Sequence, residues 1–166
     1  MSDAKTLYDE DFFAWTKHQA KALRAAARSG TNQPIDWENL AEEVEDLGKS
    51  VRREMGSEIR RIIQHLLKLQ YSPSADPRRG WFESITGARS EIEDILEQNP
   101  SLRRELDQHI AKQTARAIDL AIFDLERYGE IDRSTRRTLQ STSYSREQIL
   151  GNWFPPEPKQ PAPRAR

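Results

Sequence analysis

Carboxylates at helical spacing can hold hard cations or exchange protons, so the cluster Glu38, Glu42, Glu43, Glu45 and Asp46 is the first place to look for chemistry. Its charge pattern has a simpler origin. Residues 36–50 carry six carboxylates against the single lysine Lys49, whereas residues 51–71 carry five cations against Glu54 and Glu58. Acid at the start and base at the end complement the dipole of one long helix, which makes the cluster a solvated, dipole-matched face. Di-iron bundles require Glu-x-x-His on two helices. Three residues before His18, His65 and His109 stand Trp15, Ile62 and Leu106, so that motif is absent. Glu43 and His65 on one helix would lie about 33 Å apart. A mixed metal site would therefore need carboxylates from another helix, with Glu91 and Asp94 as candidates beside Glu43. No cofactor is implied.

His65 sits between Ile62 and Leu69 at spacings of three and four, at the edge of an apolar stripe. A partly buried structural histidine is the ordinary reading of such a position. Arg60 precedes it with four residues between, a spacing that resembles the Arg-x(4 to 6)-His motif of the HEPN superfamily of helical, metal-independent ribonucleases. Arginine grips phosphate and histidine moves protons near neutral pH, so the pairing has a chemical rationale. Arg104 and His109 repeat the same spacing, which therefore singles out neither pair. Arg78, Arg79, Arg133, Arg136, Arg137 and Arg146, with Trp81 and Tyr144, offer a cationic and aromatic surface for RNA; arginines of this kind also commonly cover apolar surface and pair with acids. Lys68, Tyr71, Trp81 and Arg89 are the candidate binding residues. No Gly-rich phosphate loop, Ser-His-Asp pattern or zincin motif is present.

The elements that must position these groups are helices. From the Asp36 cap onward, Leu40, Val44, Leu47, Val51, Met55, Ile59, Ile62, Leu66 and Leu69 recur at a mean step of about 3.6 residues, the α-helical period, and the phase survives Gly48 and Gly56. One helix over Trp37–Tyr71 is expected. Before it, Asp9 can cap a helix over residues 10–27. After Pro73, Pro77 and Gly80, a third helix carries Trp81, Ile85, Ala88, Ile92 and Leu96. Asn99 and Pro100 then have the form of a cap with proline at the first helical position, opening a fourth helix that ends at Gly129. A short helix is expected between Ile131 and Gln140, and Ser145 with Gln148 has capping-box spacing ahead of Ile149 and Leu150. Strand-like alternation is nowhere sustained.

The fold class that follows is all-α: a helical bundle of four main helices plus short C-terminal helices, packed as one domain over residues 1–154, with 155–166 a Pro-rich tail expected to be disordered or extended. At 166 residues the chain is long enough to bury a helical core without metal or disulfide, and it contains no cysteine. Its 26 basic side chains nearly cancel 27 acidic ones, which leaves no global electrostatic footprint for nucleic acid, and no DNA partner is expected. There is neither a signal-like N-terminus nor a run of about 18 apolar residues. A cytoplasmic protein without membrane contact is expected.

The segment Asp36-Trp37-Glu38-Asn39-Leu40-Ala41-Glu42-Glu43-Val44-Glu45-Asp46-Leu47-Gly48, then His65-Leu66-Leu67-Lys68, then Trp81 with Ile85 and Arg89, resembles the bacterial family known as domain of unknown function 29. Leu7-Tyr8 with Asp11-Phe12 and Trp15, the Asn99-Pro100-Ser101-Leu102 turn, and the stretch from Tyr144 to Phe154 are similar as well. The resemblance implies a helical, cytosolic bacterial protein and brings no reaction, ligand or catalytic residue. Two functions follow as expectations. The first is a non-catalytic helical module that binds a protein partner or itself; the second is a HEPN-like RNA nuclease or RNA binder using Arg60 and His65. The first is preferred, and enzymatic activity is not expected.

Overall fold

The Asp36 carboxylate accepts a hydrogen bond from the Asn39 backbone N–H at 3.2 Å, and from this cap one unbroken helix runs over Trp37–Tyr71. The computed structural model describes residues 4–30 and 32–158, and among these every regular element is helical. In chain order they are α1 (Ala4–Glu10), α2 (Phe12–Arg28), α3 (Trp37–Tyr71), α4 (Arg78–Gln98), a 3-10 helix (Pro100–Glu105), α5 (Leu106–Arg127), α6 (Arg133–Gln140) and α7 (Arg146–Leu150). None is long and apolar enough to cross a membrane.

Packing divides the chain into two units: Met1–Met55 with Ile92–Leu106, and Gly56–Glu91 with Asp107–Arg166. In the first, α3 does not bury the stripe expected from its leucines. Leu40 and Leu47 are 41% and 51% exposed, while Ala41, Gly48 and Met55 are buried. The small residues decide the face. A Cβ on Gly48 would overlap Thr16 Oγ1, so glycine here lets α2 approach the α3 backbone, and the neighbouring leucines are turned about 100° away.

The helix expected to start after Asp9 starts instead after Asp11. The Asp11 carboxylate caps α2 through Ala14 N at 2.8 Å and also accepts from Ser101 N at 2.7 Å and Ser101 Oγ at 2.9 Å. Asn99 stands at the N-cap of the helical segment that follows, with Pro100 first in it, but its side chain makes no capping hydrogen bond there. Its Oδ1 accepts from Phe13 N at 2.9 Å and its Nδ2 donates to Ile95 O at 2.8 Å. Pro100 consequently opens a 3-10 turn, and the α-helix begins only at Leu106. Asn99 is buried, and its amide meets an orphan N–H at the start of α2 that nothing local to α2 would satisfy.

The second unit holds the apolar core of α3, where Ile59, Ile62, Ile63, Leu66, Leu67 and Leu69 are all buried. Gly56 marks the approach of α5: a Cβ there would lie 3.0 Å from Gln113 Nε2. Gly129 adopts φ +65° and ends α5, with Glu130 N donating to Leu125 O at 2.8 Å. The capping box of α7 forms through Ser145 and Gln148, as their spacing suggested. Beyond it, Phe154 packs edge-on to Phe82, Pro155 is buried, and Glu157 pairs with Arg78 at 3.7 Å, so the first residues of the Pro-rich segment are part of this unit. The rest of the expected tail, 159–166, lies outside the described residues.

Candidate functional site

The pair Arg60 and His65 is not brought to a common site. Five helical positions turn their side chains about 140° apart. Arg60 donates to Gln113 Oε1 at 3.3 Å and to Ser57 Oγ at 3.4 Å. His65 faces the interior with Nδ1 buried and without a hydrogen-bond partner. Burial pushes its pKa down to about 4, the Lys68 and Arg61 cations add to the effect, and Asp124 opposes it. At neutral pH the imidazole is uncharged. Neither His65 nor Arg60 is among the residues that line the cavity of this unit.

That cavity, about 590 Å³ and open to solvent, lies between the C-terminal end of α3, the loop over 72–77, the start of α4 and the end of α5. It falls within the size range of ligand pockets. Two of its walls are aromatic, Trp81 from α4 and Tyr128 from the turn after α5, and Leu125 and Pro77 supply aliphatic surface. Lys68 projects into it from α3. Its Nζ lies 2.5 Å from Asp124 Oδ2 and 5.9 Å from the centre of the Trp81 ring, within cation–π range. Gln64 Nε2 donates to the same carboxylate oxygen at 3.2 Å.

Glu130 also lines the cavity. Its two carboxylate oxygens accept from Ser72 Oγ at 2.5 Å and from Ser74 Oγ at 2.7 Å, which fixes both the carboxylate and the loop. Asp76 stands exposed among the lining residues. The lining thus holds three carboxylates against one ammonium. The hydroxyls of Ser72 and Ser74 both engage Glu130 in holding the loop, and the carboxylates and aromatic walls suit recognition by charge and aromatic contact.

The model of a family described as domain of unknown function DUF29 matches residues 7–154. The chain belongs to the DUF29 family. Among solved structures, an α-helical protein of unknown function from Rhodospirillum rubrum ATCC 11170 is similar, with 26% sequence identity, a TM-score of 0.69, and coverage of 87% of this chain and 89% of that one. No curated protein matches. These likenesses agree with the all-α class and point to no catalytic function.

Of the four binding candidates read from the sequence of this DUF29 chain, Lys68 and Trp81 line the cavity. The other two hold the fold. Tyr71 shares a 2.5 Å hydrogen bond with Thr142 Oγ1. Arg89 donates to the carbonyls of Ile149 and Gln148, both at 2.8 Å, and of Trp153 at 2.7 Å, with its guanidinium over the Phe154 ring. Burial draws its pKa below the usual arginine value. Glu43, Glu91 and Asp94 are all exposed, and among the described residues no three metal-ligating side chains converge. Several of the arginines grouped as an RNA surface are paired: Arg79 with Glu83, Arg136 with Glu126, and Arg146 with Asp107.

Sequence reasoning missed Asp76, Asp124, Tyr128 and Glu130. The one local signal for two of them was Gly129. A left-handed glycine that ends a helix turns its flanking side chains, here Tyr128 and Glu130, out of the helical array.

Proposed function

We propose that this DUF29 protein is a non-catalytic helical module that binds a protein partner through the Lys68–Trp81 cavity and exposed apolar residues of α5. The observation that carries the reading is Tyr128, which is 72% exposed while it walls the cavity. Phe123 and Leu120, on the same helix as Asp124 and Leu125, are 63% and 42% exposed. Large apolar side chains left in water are a common mark of a protein-binding surface. Exposed Tyr and Phe also supply much contact area for little conformational entropy. The absence of cysteine suits a reducing compartment, and the bacterial cytoplasm is the proposed place of action.

The test is site-specific photo-crosslinking in a bacterial host that carries the native protein, with a photoreactive phenylalanine at position 128 and a control at the exposed position Glu97. A discrete protein adduct of defined stoichiometry from position 128, absent at 97 and unchanged by RNase, supports the reading. An RNA adduct at 128, or equal labelling from both positions, contradicts it. An adduct between two copies of this chain identifies the partner as the protein itself.

A further inference from the structure

The cavity's charge and walls define what it takes. Asp76, Asp124 and Glu130 face it with Lys68 as the one cation among its lining residues, and Lys68 is neutralised by Asp124 at 2.5 Å. An anion entering here would meet carboxylates from the 72–77 loop, from α5 and from the turn after α5. A cation would meet those same groups beside two rings that already attract cations, Trp81 with Lys68 and Tyr128 with Arg127, each at 5.9 Å. The Lys68 ammonium already shows the geometry in miniature, held between a carboxylate and the Trp81 ring. Glu130 does not collapse onto Lys68, because Ser72 and Ser74 hold it in place.

We propose that the cavity receives a cationic side chain, the ammonium of a lysine or the guanidinium of an arginine, presented by the protein partner. The aliphatic stem lies along Leu125 and Pro77, the charge is met by Glu130 and Asp76, and Trp81 and Tyr128 flank it. This rests on the docking reading above and adds the chemistry of what is inserted. Charge complementarity selects the occupant: three carboxylates with aromatic walls fit a long basic side chain better than an apolar or acidic one.

The experiment follows the indole N–H signal of Trp81 in proton–nitrogen correlation spectra of the full chain, assigned by its loss in Trp81→Phe. n-Butylammonium and n-butylguanidinium are titrated, with butyrate and inorganic phosphate as controls at matched ionic strength. The expected result is a saturable shift of the Trp81 signal with both cations and none with either anion, while the Trp15 and Trp37 signals stay fixed. Asp76→Lys reverses a charge at an exposed position, so the fold is retained, and it is expected to weaken cation binding at least about tenfold. Asp124→Asn provides a second variant. Equal shifts with the anions, no shift with the cations, or unchanged binding in both variants would each overturn the proposal.

Two further arms separate it from its neighbours. If a chain ending at Pro158 displaces the Trp81 signal, and a peptide of residues 159–166 restores it, the occupant is this chain's own basic segment and not a partner. Cation binding without a protein crosslink from position 128 would make the ligand a free amine, also overturning the partner assignment. A crosslink without cation binding would leave the docking reading standing and remove the charge assignment alone.

Discussion

Lys68 Nζ and Asp124 Oδ2 lie 2.5 Å apart on the wall of an open cavity, so the one ammonium among its lining residues is already committed to a carboxylate. The pair decides the sign of the site. Lys68→Met keeps the stem that packs along the wall and removes the charge, which frees Asp124 and the Trp81 face. Binding of n-butylguanidinium, measured by calorimetry, is expected to tighten several-fold. At a site built for anions the same substitution would abolish binding of phosphate or butyrate.

Arg89 acts on stability rather than on ligands. Its guanidinium reaches three carbonyls of the segment after Tyr144, and these lose their charged donor together in Arg89→Ala. The expected loss is about 3 kcal/mol in chemical unfolding, with faster proteolysis within residues 144–158. Arg89→Lys should recover only part of this, since one ammonium cannot reproduce the fork of a guanidinium.

Gly48→Ala tests the close approach that overrode the leucine stripe. Its new methyl would meet Thr16 Oγ1, a buried atom that also donates to Phe13 O at 2.8 Å. A destabilisation of about 1–3 kcal/mol is expected, and Thr16→Ala in the same chain should relieve part of it. Leu47→Ala, on the exposed face, should change stability by less than about 0.5 kcal/mol.

His65 gives a pH dependence of defined sign. Its folded pKa, about 4, lies below the ordinary value of 6.5, so between these values the unfolded chain binds more protons than the folded one. The contribution of His65 to stability is fully present above pH 6.5, is lost progressively as pH falls toward 4, and changes no further below that. The loss is at most about 3 kcal/mol. His65→Gln should flatten this window in urea unfolding measured from pH 4 to 7. An unchanged slope would show that other groups carry the acid sensitivity.

These residues also show what was legible in the sequence. The span of α3, the capping box at Ser145 and the stop at Gly129 were readable because each depends on neighbours within a few positions. Asp11, Asn99 and the exposed Leu40 and Leu47 were not, because long-range partners decide them: Ser101 for Asp11, Phe13 for Asn99, and Thr16 against Gly48 for the face of α3. The cavity was half legible. Lys68 and Trp81 were among the candidate binding residues, whereas Asp76, Asp124 and Glu130 are ordinary surface acids until the loop and the end of α5 come together. The Arg60 and His65 spacing was visible, but five positions on a helix do not make one face.

The most direct test of the docking site is competition. With the photoreactive group at position 128, adduct yield is measured while n-butylguanidinium is raised at constant ionic strength. A yield that falls in parallel with saturation of the Trp81 signal is the expected result. A yield that stays constant while the cavity fills would contradict the claim that the partner docks there.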